Sequence, residues 1–522
     1  MENEFDVIIL GTGLTESITA AALAKAGLKV AHVDPNAYYG ADEATLTLDE
    51  LVAWAERHSS QENTDQEGCI KYDVAFQSAV EVSHPKQYTL SLSPSVIPAV
   101  GPFITSIIAS GVARYSSFKL LGSVLIYNND HFKAVPRGKE DVFRDQQIPL
   151  LEKRRLMRFL MFAAEQYESS PEFQDKGRGL FLDFLRQAFS LSENLVETVA
   201  FALAYCTSSD EPTSSALTRV QSCLRSTGRY GPSPFLVSYY GGSGELAQGF
   251  CRAAAVNGGV YILGRRITNI TFNDPSLSRD TNGGHRYTLE LDGFPEPLHA
   301  SCLLSSLPHI PDRLRWRIVP DLPEPSYGQP FPCRVARGIV ILDGVISPPC
   351  SADEESQTEQ GSDSLIMVFP PASIKGGSDV SSVQVLTVAS GTMCAPPGKS
   401  IIYLSMSLDD QEGNPKDLLE PYLNAILSTN VPPYHCLFQI FYTQHIPDHP
   451  QQSVPAPSSD ENLWVVPVLP PDISHGIDFA AQVAEKAFWK IITSIRGPNI
   501  SLDVSNGFWV DSMQGGVEED SD

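Results

Sequence analysis

The sequence is poor in basic residues for its length and carries a large excess of negative charge. Its 522 residues include 37 lysines and arginines against 62 aspartates and glutamates, which gives a formal net charge of −25 at pH 7. Phosphate backbones and anionic leaflets repel a chain of this charge, so nucleic-acid binding and peripheral membrane binding are disfavoured as functions. Basic surfaces of other proteins are better partners for it.

Paired cysteines are also missing. The nine cysteines are single residues between Cys69 and Cys436, with no C-x-x-C pair and no histidine at metal-ligand spacing. This pattern disfavours a disulfide framework and a zinc site, and it predicts reduced thiols that are mostly buried.

Targeting signals and an uninterrupted apolar run are not found either. Without signal-peptide regions or a CaaX box, we expect a cytosolic protein that is not itself lipidated by that route. The uncharged stretch at residues 87–113 is broken by Pro94, Pro98, Gly101 and Pro102. We therefore expect buried strands, turns and a short helix in this stretch rather than a membrane span.

The beginning of the chain has the pattern of a β-α-β unit. Residues 5–10 form an apolar run typical of a buried strand, and Gly11-Thr12-Gly13 ends it. Small residues at 17–26 form a helical pattern that Gly27 stops, and residues 28–34 form a second strand pattern. Two strands joined through a helix are parallel, so this unit predicts an α/β domain.

A helical period replaces this pattern between residues 139 and 228. Met157 and Met161 form a second apolar stripe on the first long helix, and Ser192 fits the N-cap of a helix running through Cys206. We expect an inserted all-α domain at residues 139–228, a large α/β domain in two parts at 1–138 and 229–510, and an acidic tail at 511–522.

Strand patterns return after residue 228. They cover Val260–Leu263, Tyr287–Leu291 and residues 339–342, 383–388 and 401–406. Polar, proline-rich or acidic stretches at residues 273–285, 351–363, 447–461 and after 511 predict loops or disorder.

The turn after the first strand has two of the three glycines of a dinucleotide fingerprint. In a working G-x-G-x-x-G turn the helix N–H groups point at the pyrophosphate, and an acidic residue about 20 positions later takes the ribose hydroxyl. Gly11, Gly13 and Asp34 fit these positions, but Glu16 replaces the third glycine. Its carboxylate would take the space and the potential that a phosphate needs. We therefore expect a scaffold without a cofactor, and a bound flavin or nicotinamide nucleotide is the alternative.

Two blocks of the sequence resemble the Rab GDP-dissociation inhibitor and Rab escort protein superfamily. GTGLTES at residues 11–17 with HVDPNAYYG at 32–40 resembles its opening, and residues 228–263 resemble its second diagnostic region. The resemblance implies a flavoprotein-like α/β fold, that is, a Rossmann-type FAD/NAD(P)-binding fold without cofactor, with an inserted all-α small domain.

By motif match, the resemblance also implies a platform for GDP-bound Rab GTPases. Its residues would be Tyr39 from the first block and Glu245, Gln248, Arg252, Val260 and Ile262 from the second. Aromatic and arginine anchors with selective charges suit such a surface. The alternative is that Glu245 caps a helix and Arg252 is a solvated helix charge.

The resemblance leaves two functions open. Inhibitors extract prenylated Rabs from membranes, whereas escort proteins present newly made Rabs to the geranylgeranyltransferase α/β heterodimer and deliver the product to membranes. The DVF and LLEKR spacing within residues 140–160, Trp54 at the end of LVAW and the chain length favour an escort. An escort is a non-catalytic accessory component of the transferase and contacts membranes only transiently.

Candidate residues for the lipid and the transferase lie in the helical segment. For the prenyl cavity that the resemblance implies, thioethers and aromatic rings can repack around an isoprenoid, which points to Met157, Phe159, Met161, Phe162 and Phe184. An ordinary helical core is the alternative. The family alignment places the transferase contact near residues 219–229, where Cys223 and Leu224 are the nearest candidates and Leu224 fits a core position equally well.

A flavin-dependent oxidase or monooxygenase is the competing class of function. The β-α-β start supports it, as does HGIDFAA at residues 475–481, which faintly resembles a flavoprotein glycine motif, whereas Glu16 opposes it. A hydrolase has no support, because no G-x-S-x-G elbow precedes suitable aspartate and histidine partners.

Overall fold

The structure is a computed structural model that describes residues 3–59, 72–273, 286–315, 334–347, 363–408, 413–429, 433–446, 462–497 and 507–510. Most of the loops expected at 273–285, 351–363 and 447–461, and all of the acidic tail at 511–522, lie outside these residues.

The described strands are numbered in chain order. They are β1 Glu4–Leu10, β2 Val30–Asp34, β3 Thr45–Leu46, β4 Tyr72–Gln77, β5 Leu90–Ser91, β6 Ile97–Pro98, β7 Phe118–Leu120, β8 Ser123–Asn128, β9 His131–Ala134, β10 Phe235–Ser238, β11 Val260–Leu263, β12 Ile267–Phe272, β13 Tyr287–Leu291, β14 Leu298–Ser306, β15 Arg334–Asp343, β16 Ser364–Phe369, β17 Val383–Ala389, β18 Ser400–Ser407, β19 His435–His445 and β20 Leu463–Val466. Each strand predicted from the sequence is present, and β11 and β13 have the predicted bounds.

The helices are numbered in the same way. They are α1 Leu14–Lys25, α2 Leu48–Ser59, α3 Pro102–Ala109, α4 Lys139–Arg144, α5 Leu150–Ala164, α6 Pro171–Lys176, α7 Phe181–Phe189, α8 Glu193–Glu197, α9 Thr213–Ser226, α10 Ser243–Val256, α11 Asp312–Arg315, α12 Pro415–Leu427 and α13 Gly476–Arg496. A π-helical turn at Thr198–Leu203 continues α8.

The predicted β-α-β unit forms the centre of a seven-stranded sheet. The strand order is β11-β2-β1-β14-β13-β12, with β20 pairing with β14. Strand β1 is parallel to both β2 and β14, and β2 is parallel to the edge strand β11. Because apolar side chains cover both faces of β1, its sequence is a continuous apolar run rather than an alternating one.

Helix α1 is buried on every side, which explains its small residues. It packs against α10 and α13 as well as against the sheet. Residues 14 to 24 are all buried, and alanine at 20, 21, 22 and 24 allows the neighbouring elements to approach closely. The helix begins at Leu14, three residues earlier than predicted, so Glu16 lies in its first turn.

A second, eight-stranded sheet supports the helical segment. Its order is β4-β19-β15-β18-β17-β16-β8-β9, and its pairs are antiparallel except for β16 with β8. The elements described between residues 139 and 228 are helices and turns, in agreement with the sequence pattern.

The helical segment does not enclose a separate core. Phe159 and Phe184 of its helices belong to the same buried cluster as Ile339 and Tyr403 of the eight-stranded sheet. Ser192 lies at the predicted N-cap of α8, but its side chain makes no capping hydrogen bond there. The helix it precedes was predicted to reach Cys206, and it ends instead in the π-helical turn at Leu203.

The uncharged stretch at residues 87–113 contains two short strands, β5 and β6, and the helix α3, as predicted. Across the described part of the chain, every helix is too short or too polar to span a bilayer.

Candidate functional site

The glycine turn after β1 keeps the backbone geometry of a nucleotide fold. Gly11 has a φ of 95°, which favours glycine, and Gly13 is the N-cap residue of α1. The turn therefore still presents the N-terminus of α1 to the space where a phosphate would lie.

Two carboxyl groups of the chain fill that space. A methyl group built on Gly13 would lie 2.7 Å from Glu16 Oε2 and 2.9 Å from Glu43 Oε2, so both carboxyls already lie against this glycine. Glu43 Oε2 also accepts a hydrogen bond of 2.9 Å from the backbone N–H of Leu14, in the first turn of α1. The chain's own carboxyl thus takes a donor that would otherwise bind phosphate.

Burial weakens the charge part of the sequence argument about Glu16. Burial raises the pKa of Glu16 to about 8, with smaller contributions from Asp42 and Asp34. Burial therefore favours the neutral, protonated form of this carboxyl, which repels a phosphate less than a carboxylate does. The obstruction is steric, because the side chain occupies the site.

Asp34, at the ribose position, is also fully engaged. It is buried, and its Oδ2 accepts hydrogen bonds from the Thr12 N–H at 2.8 Å and from the Thr12 hydroxyl at 2.6 Å. Its Oδ1 accepts from the Asn36 N–H at 2.8 Å. Both oxygens of this carboxylate therefore accept hydrogen bonds from within the chain.

The cavity beside the start of α1 is small. Its volume is about 50 Å³, and its lining includes Thr15, Glu16, Glu43, Arg337 and Gln444. Sites for drug-sized ligands and cofactors have volumes of about 300 to 1,000 Å³. The residues present do not fit a dinucleotide, which argues against the flavoenzyme alternative.

The second flavoprotein-like motif, at residues 475–481, also has an internal role. It contributes the start of α13, and Asp478 Oδ1 accepts a hydrogen bond of 3.1 Å from the Phe103 N–H in the first turn of α3. Burial raises the pKa of Asp478 to about 7. The motif therefore joins two helices of the scaffold.

The two sequence blocks, more than 180 residues apart, meet at a pair of glycines. Gly40, at the end of YYG, has a φ of 98°, and a Cβ there would lie 2.9 Å from Ala44 Cα and 3.2 Å from Gly244 Cα. Gly244 precedes Glu245 in the first turn of α10. This close approach of two backbones puts Tyr39 beside the start of α10.

Three of the predicted platform residues share one face of α10. Glu245, Gln248 and Arg252 are exposed, and their spacing of three and four residues aligns them on the helix surface. Tyr39 is half-buried, and its ring lies edge-on to Tyr261 with 5.9 Å between the ring centres.

The other two predicted residues belong to the neighbouring edge strand. Val260 and Ile262 are two positions apart in β11, so their side chains point to the same face of the sheet. Ile262 packs against the cluster on the face opposite α10, whereas Val260 is exposed. A partner at this edge would have to contact both sides of β11.

The structure adds two residues to this surface that sequence reasoning missed. The guanidinium carbon of Arg252 lies 5.1 Å from the ring centre of Tyr115, which is 45% exposed. Val256, four residues after Arg252, is 80% exposed. Helical spacing from Glu245 could have identified Val256, but nothing local to Tyr115 indicated its contact with α10.

The five prenyl candidates divide between a surface groove and the core. Met157 and Met161 line a groove of about 340 Å³ together with Phe143, Lys153, Arg154 and Arg158. Phe159 and Phe184 are buried in the shared core, and Phe162 packs against it from the edge.

Neither transferase candidate is fully exposed. Cys223 is buried in the shared core, and burial raises the pKa of its thiol. Leu224 is half-buried and packs against the same core.

The cysteines that the structure describes are mostly buried, as predicted. Cys206, Cys223, Cys251, Cys302, Cys394 and Cys436 are free thiols, and all but the last are buried. In the described ranges, histidine, cysteine and acidic side chains form no group that could hold a metal ion.

Comparison with known proteins adds a family and a fold. The family model for "GDP dissociation inhibitor" matches residues 1–282. A Saccharomyces cerevisiae protein named Rab proteins geranylgeranyltransferase component A is 30% identical over 406 residues, 77% of this chain and 61% of that protein. The rat Rab GDP dissociation inhibitor beta is 30% identical over 277 residues, 52% of this chain and 58% of that protein.

The chain spans about six tenths of the length of these curated relatives. Among solved structures, a Rab GDI from Plasmodium falciparum has a TM-score of 0.64 at 17% identity and covers 96% of this chain and 100% of its own. An oxidoreductase from Methanosarcina mazei has a TM-score of 0.54 at 13% identity and covers 91% and 98%. These likenesses confirm the predicted flavoprotein-like fold.

Proposed function

The chain belongs to the GDP dissociation inhibitor family, and on that premise we propose that it binds GDP-bound Rab GTPases as an escort for their prenylation. In this function it presents newly made Rabs to Rab geranylgeranyltransferase and delivers the prenylated product to membranes. The chain itself supplies no catalytic group, because the chemistry belongs to the transferase.

One observation carries the proposal. The nucleotide site of the fold is filled by Glu16 and Glu43, while the contact between Gly40 and Gly244 brings Tyr39 next to the exposed face of α10. A fold that has filled its cofactor site and exposes an aromatic ring, a carboxylate and an arginine side by side is suited to binding a protein. Tyr39, Glu245, Gln248, Arg252, Val260 and Ile262 are the proposed Rab contacts.

Relatives named as component A and relatives named as inhibitors both support the family, but they match different lengths of this chain. The yeast relative with the component A name aligns over 77% of the chain, whereas the rat inhibitor aligns over 52%. The longer match supports the escort function. Recycling of prenylated Rabs as an inhibitor is the second candidate, favoured by the family model itself.

For the prenyl group we propose the helical segment. Met157 and Met161 would form the open part of the site, because their groove of about 340 Å³ is largely apolar. The rings of Phe162 and Phe184, whose centres are 5.8 Å apart, and the nearby Phe159 would have to separate for deeper insertion.

The burial of Cys223 and the partial burial of Leu224 do not support direct contact with the transferase. The exposed apolar side chains of Phe143, Leu150 and Leu151 are better docking candidates, since each is about 60% exposed. Covering exposed apolar surface is a common source of binding free energy. We also propose that the protein is cytosolic and contacts membranes only transiently.

Reconstituted prenylation tests the function. A GDP-loaded Rab, the transferase α/β heterodimer and geranylgeranyl diphosphate are incubated with and without the chain, and transfer to the Rab is measured. An escort should raise the rate strongly, and equal rates would reject the escort function. Extraction of prenylated Rab from vesicles without any effect on transfer would identify an inhibitor instead.

A further inference from the structure

The loop that follows β2 carries Tyr39 and is held by three hydrogen bonds, one to the end of β2 and two to the glycine turn and the start of α1. The Asn36 N–H donates to Asp34 Oδ1 at 2.8 Å, and the Gly40 N–H donates to the Thr12 hydroxyl at 3.0 Å. Further along, Glu43 accepts from the Leu14 N–H at 2.9 Å. Tyr39 therefore lies between fixed points on both sides.

Thr12 is the central link among these contacts. Its hydroxyl donates to Asp34 Oδ2 at 2.6 Å and accepts from the Gly40 N–H, and its carbonyl also accepts from Gly40 at 3.1 Å. Thr12 and Asp34 are both fully buried, so water does not compete for these hydrogen bonds. The hydroxyl oxygen donates and accepts through one atom, which the methyl group of a valine cannot do.

We propose that Asp34 and Thr12, which occupy the ribose and phosphate positions of the nucleotide turn, are positioning residues that hold the Tyr39 loop in its Rab-binding conformation. The inference rests on the proposed function. Neither residue reaches the surface, so each acts on a partner only through the loop. The backbone of the loop, rather than a nucleotide, makes hydrogen bonds to the turn.

The loop also has to meet α10 at a close distance. Gly40 lies against Gly244, so a shift of the loop would move Tyr39 away from both Tyr261 and the first turn of α10. Loss of the Thr12 hydroxyl should therefore separate the two halves of the platform without changing any residue that touches the Rab.

The test compares Thr12→Val, which keeps the shape but removes the hydroxyl, with Thr12→Ser, which retains it. Affinity is measured for an unprenylated, GDP-loaded Rab with its complete tail. We expect Thr12→Val to bind about fivefold more weakly, the equivalent of one net hydrogen bond, and Thr12→Ser to bind within about twofold of the parent chain. Equal affinity of Thr12→Val and the parent chain would overturn the inference.

A double-mutant cycle separates positioning from general stabilisation. In a Tyr39→Ala background, Thr12→Val should cause little further loss of affinity, because the residue it positions is gone. Fully additive losses would contradict the inference. Should Thr12→Val fail to fold, Asp34→Asn, which removes one acceptor oxygen, is measured by the same cycle.

Hydrogen exchange distinguishes failure of the inference from failure of the proposed function. Thr12→Val should speed amide exchange at residues 36–43 while leaving β1 protected. If the parent chain binds no GDP-loaded Rab but this local exchange increases, the positioning of the loop stands and the Rab function falls. Unchanged exchange in the loop would overturn the positioning inference irrespective of binding.

Discussion

At the scale of single residues, the positions that bind the nucleotide in a nucleotide fold are occupied here by residues that contact other parts of the same chain. The Glu16 side chain fills the space beside Gly13, and Asp34 accepts hydrogen bonds from Thr12 and Asn36. Glu43 accepts a hydrogen bond from the first turn of α1. The sequence showed the lost glycine, but only the structure showed that Glu43, from a different loop, completes the replacement. That contact joins residues 29 positions apart and leaves no local pattern.

Charge reversal of Arg252 should weaken Rab binding. Arg252 is exposed and borders Tyr115, so Arg252→Glu should leave the fold intact and reduce affinity for a GDP-loaded Rab by about tenfold or more. The matched control is Lys486→Glu on the exposed side of α13, which should leave affinity unchanged. Titration calorimetry checks both, and unchanged affinity of Arg252→Glu would remove the residue from the platform.

Glu16 should make the stability of the protein depend on pH. Burial raises its pKa from 4.5 to about 8, so the folded state binds a proton that the unfolded state releases. Its contribution is fully present below pH 4.5, falls as the pH rises to about 8 and is then constant. Since each pKa unit corresponds to about 1.4 kcal/mol, the change amounts to a few kcal/mol.

Urea unfolding between pH 5 and 8 measures this effect. The Glu16→Gln variant, which cannot titrate at this position, should lose less stability over that range than the parent chain. Parallel curves for the two proteins would show that Glu16 does not titrate as its burial requires. Burial also raises the pKa of Glu43 in both proteins, and because the charge of Glu16 adds to that shift, the contribution of Glu43 cancels only in part.

At the scale of elements, the proposed Rab-binding platform depends on how closely the Tyr39 loop approaches α10. The helical spacing of Glu245, Gln248 and Arg252 was visible in the sequence, and so was the strand at Val260–Leu263. The sequence did not show that the side chains of Val260 and Ile262 lie on the face of β11 opposite α10. Which face of a strand a helix covers depends on how the whole sheet is packed.

Gly40→Ala should therefore lower both stability and Rab affinity. Its φ is 98°, and the new Cβ would lie 2.9 Å from Ala44 Cα, so strain and steric overlap add to a cost of about 2 to 4 kcal/mol. Gly258→Ala is the matched control, because Gly258 has a φ of 90° with nothing within 4 Å of a Cβ.

Thermal unfolding and Rab binding are measured for both glycine variants. The control should show the cost of the backbone conformation alone, about 1 kcal/mol, with Rab affinity retained. If the two variants lose equal stability and equal affinity, the close approach of Gly40 to Gly244 has no energetic importance.

At the scale of the whole molecule, the helical segment and the eight-stranded sheet share one core. The boundaries at residues 139 and 228 stay predictions, but the helices fill the predicted interval. Phe159, Phe184 and Leu217 pack in the same cluster as Ile366 and Tyr403 of the sheet. Helical periodicity identifies the segment, yet it does not show what the buried faces contact.

The segment at residues 139–228 should therefore not fold by itself. Separated from the sheet, it would expose apolar surface that the sheet now covers, and its helices are short. We expect no cooperative thermal transition for the isolated segment by circular dichroism, whereas the full chain should show one. A sharp transition of the isolated segment would establish it as an independent domain.

The sequence by itself determined the fold class, the order of the elements and the family, because hydrophobic periodicity and short motifs are local properties. Tertiary structure alone decided that Glu43 and Asp34 accept hydrogen bonds from within the chain and that the ring of Tyr115 lies beside the guanidinium of Arg252. It also decided that the prenyl candidates divide between a groove and the core. Each of these depends on contacts between segments distant in sequence, and such contacts are fixed by the packing of the whole chain.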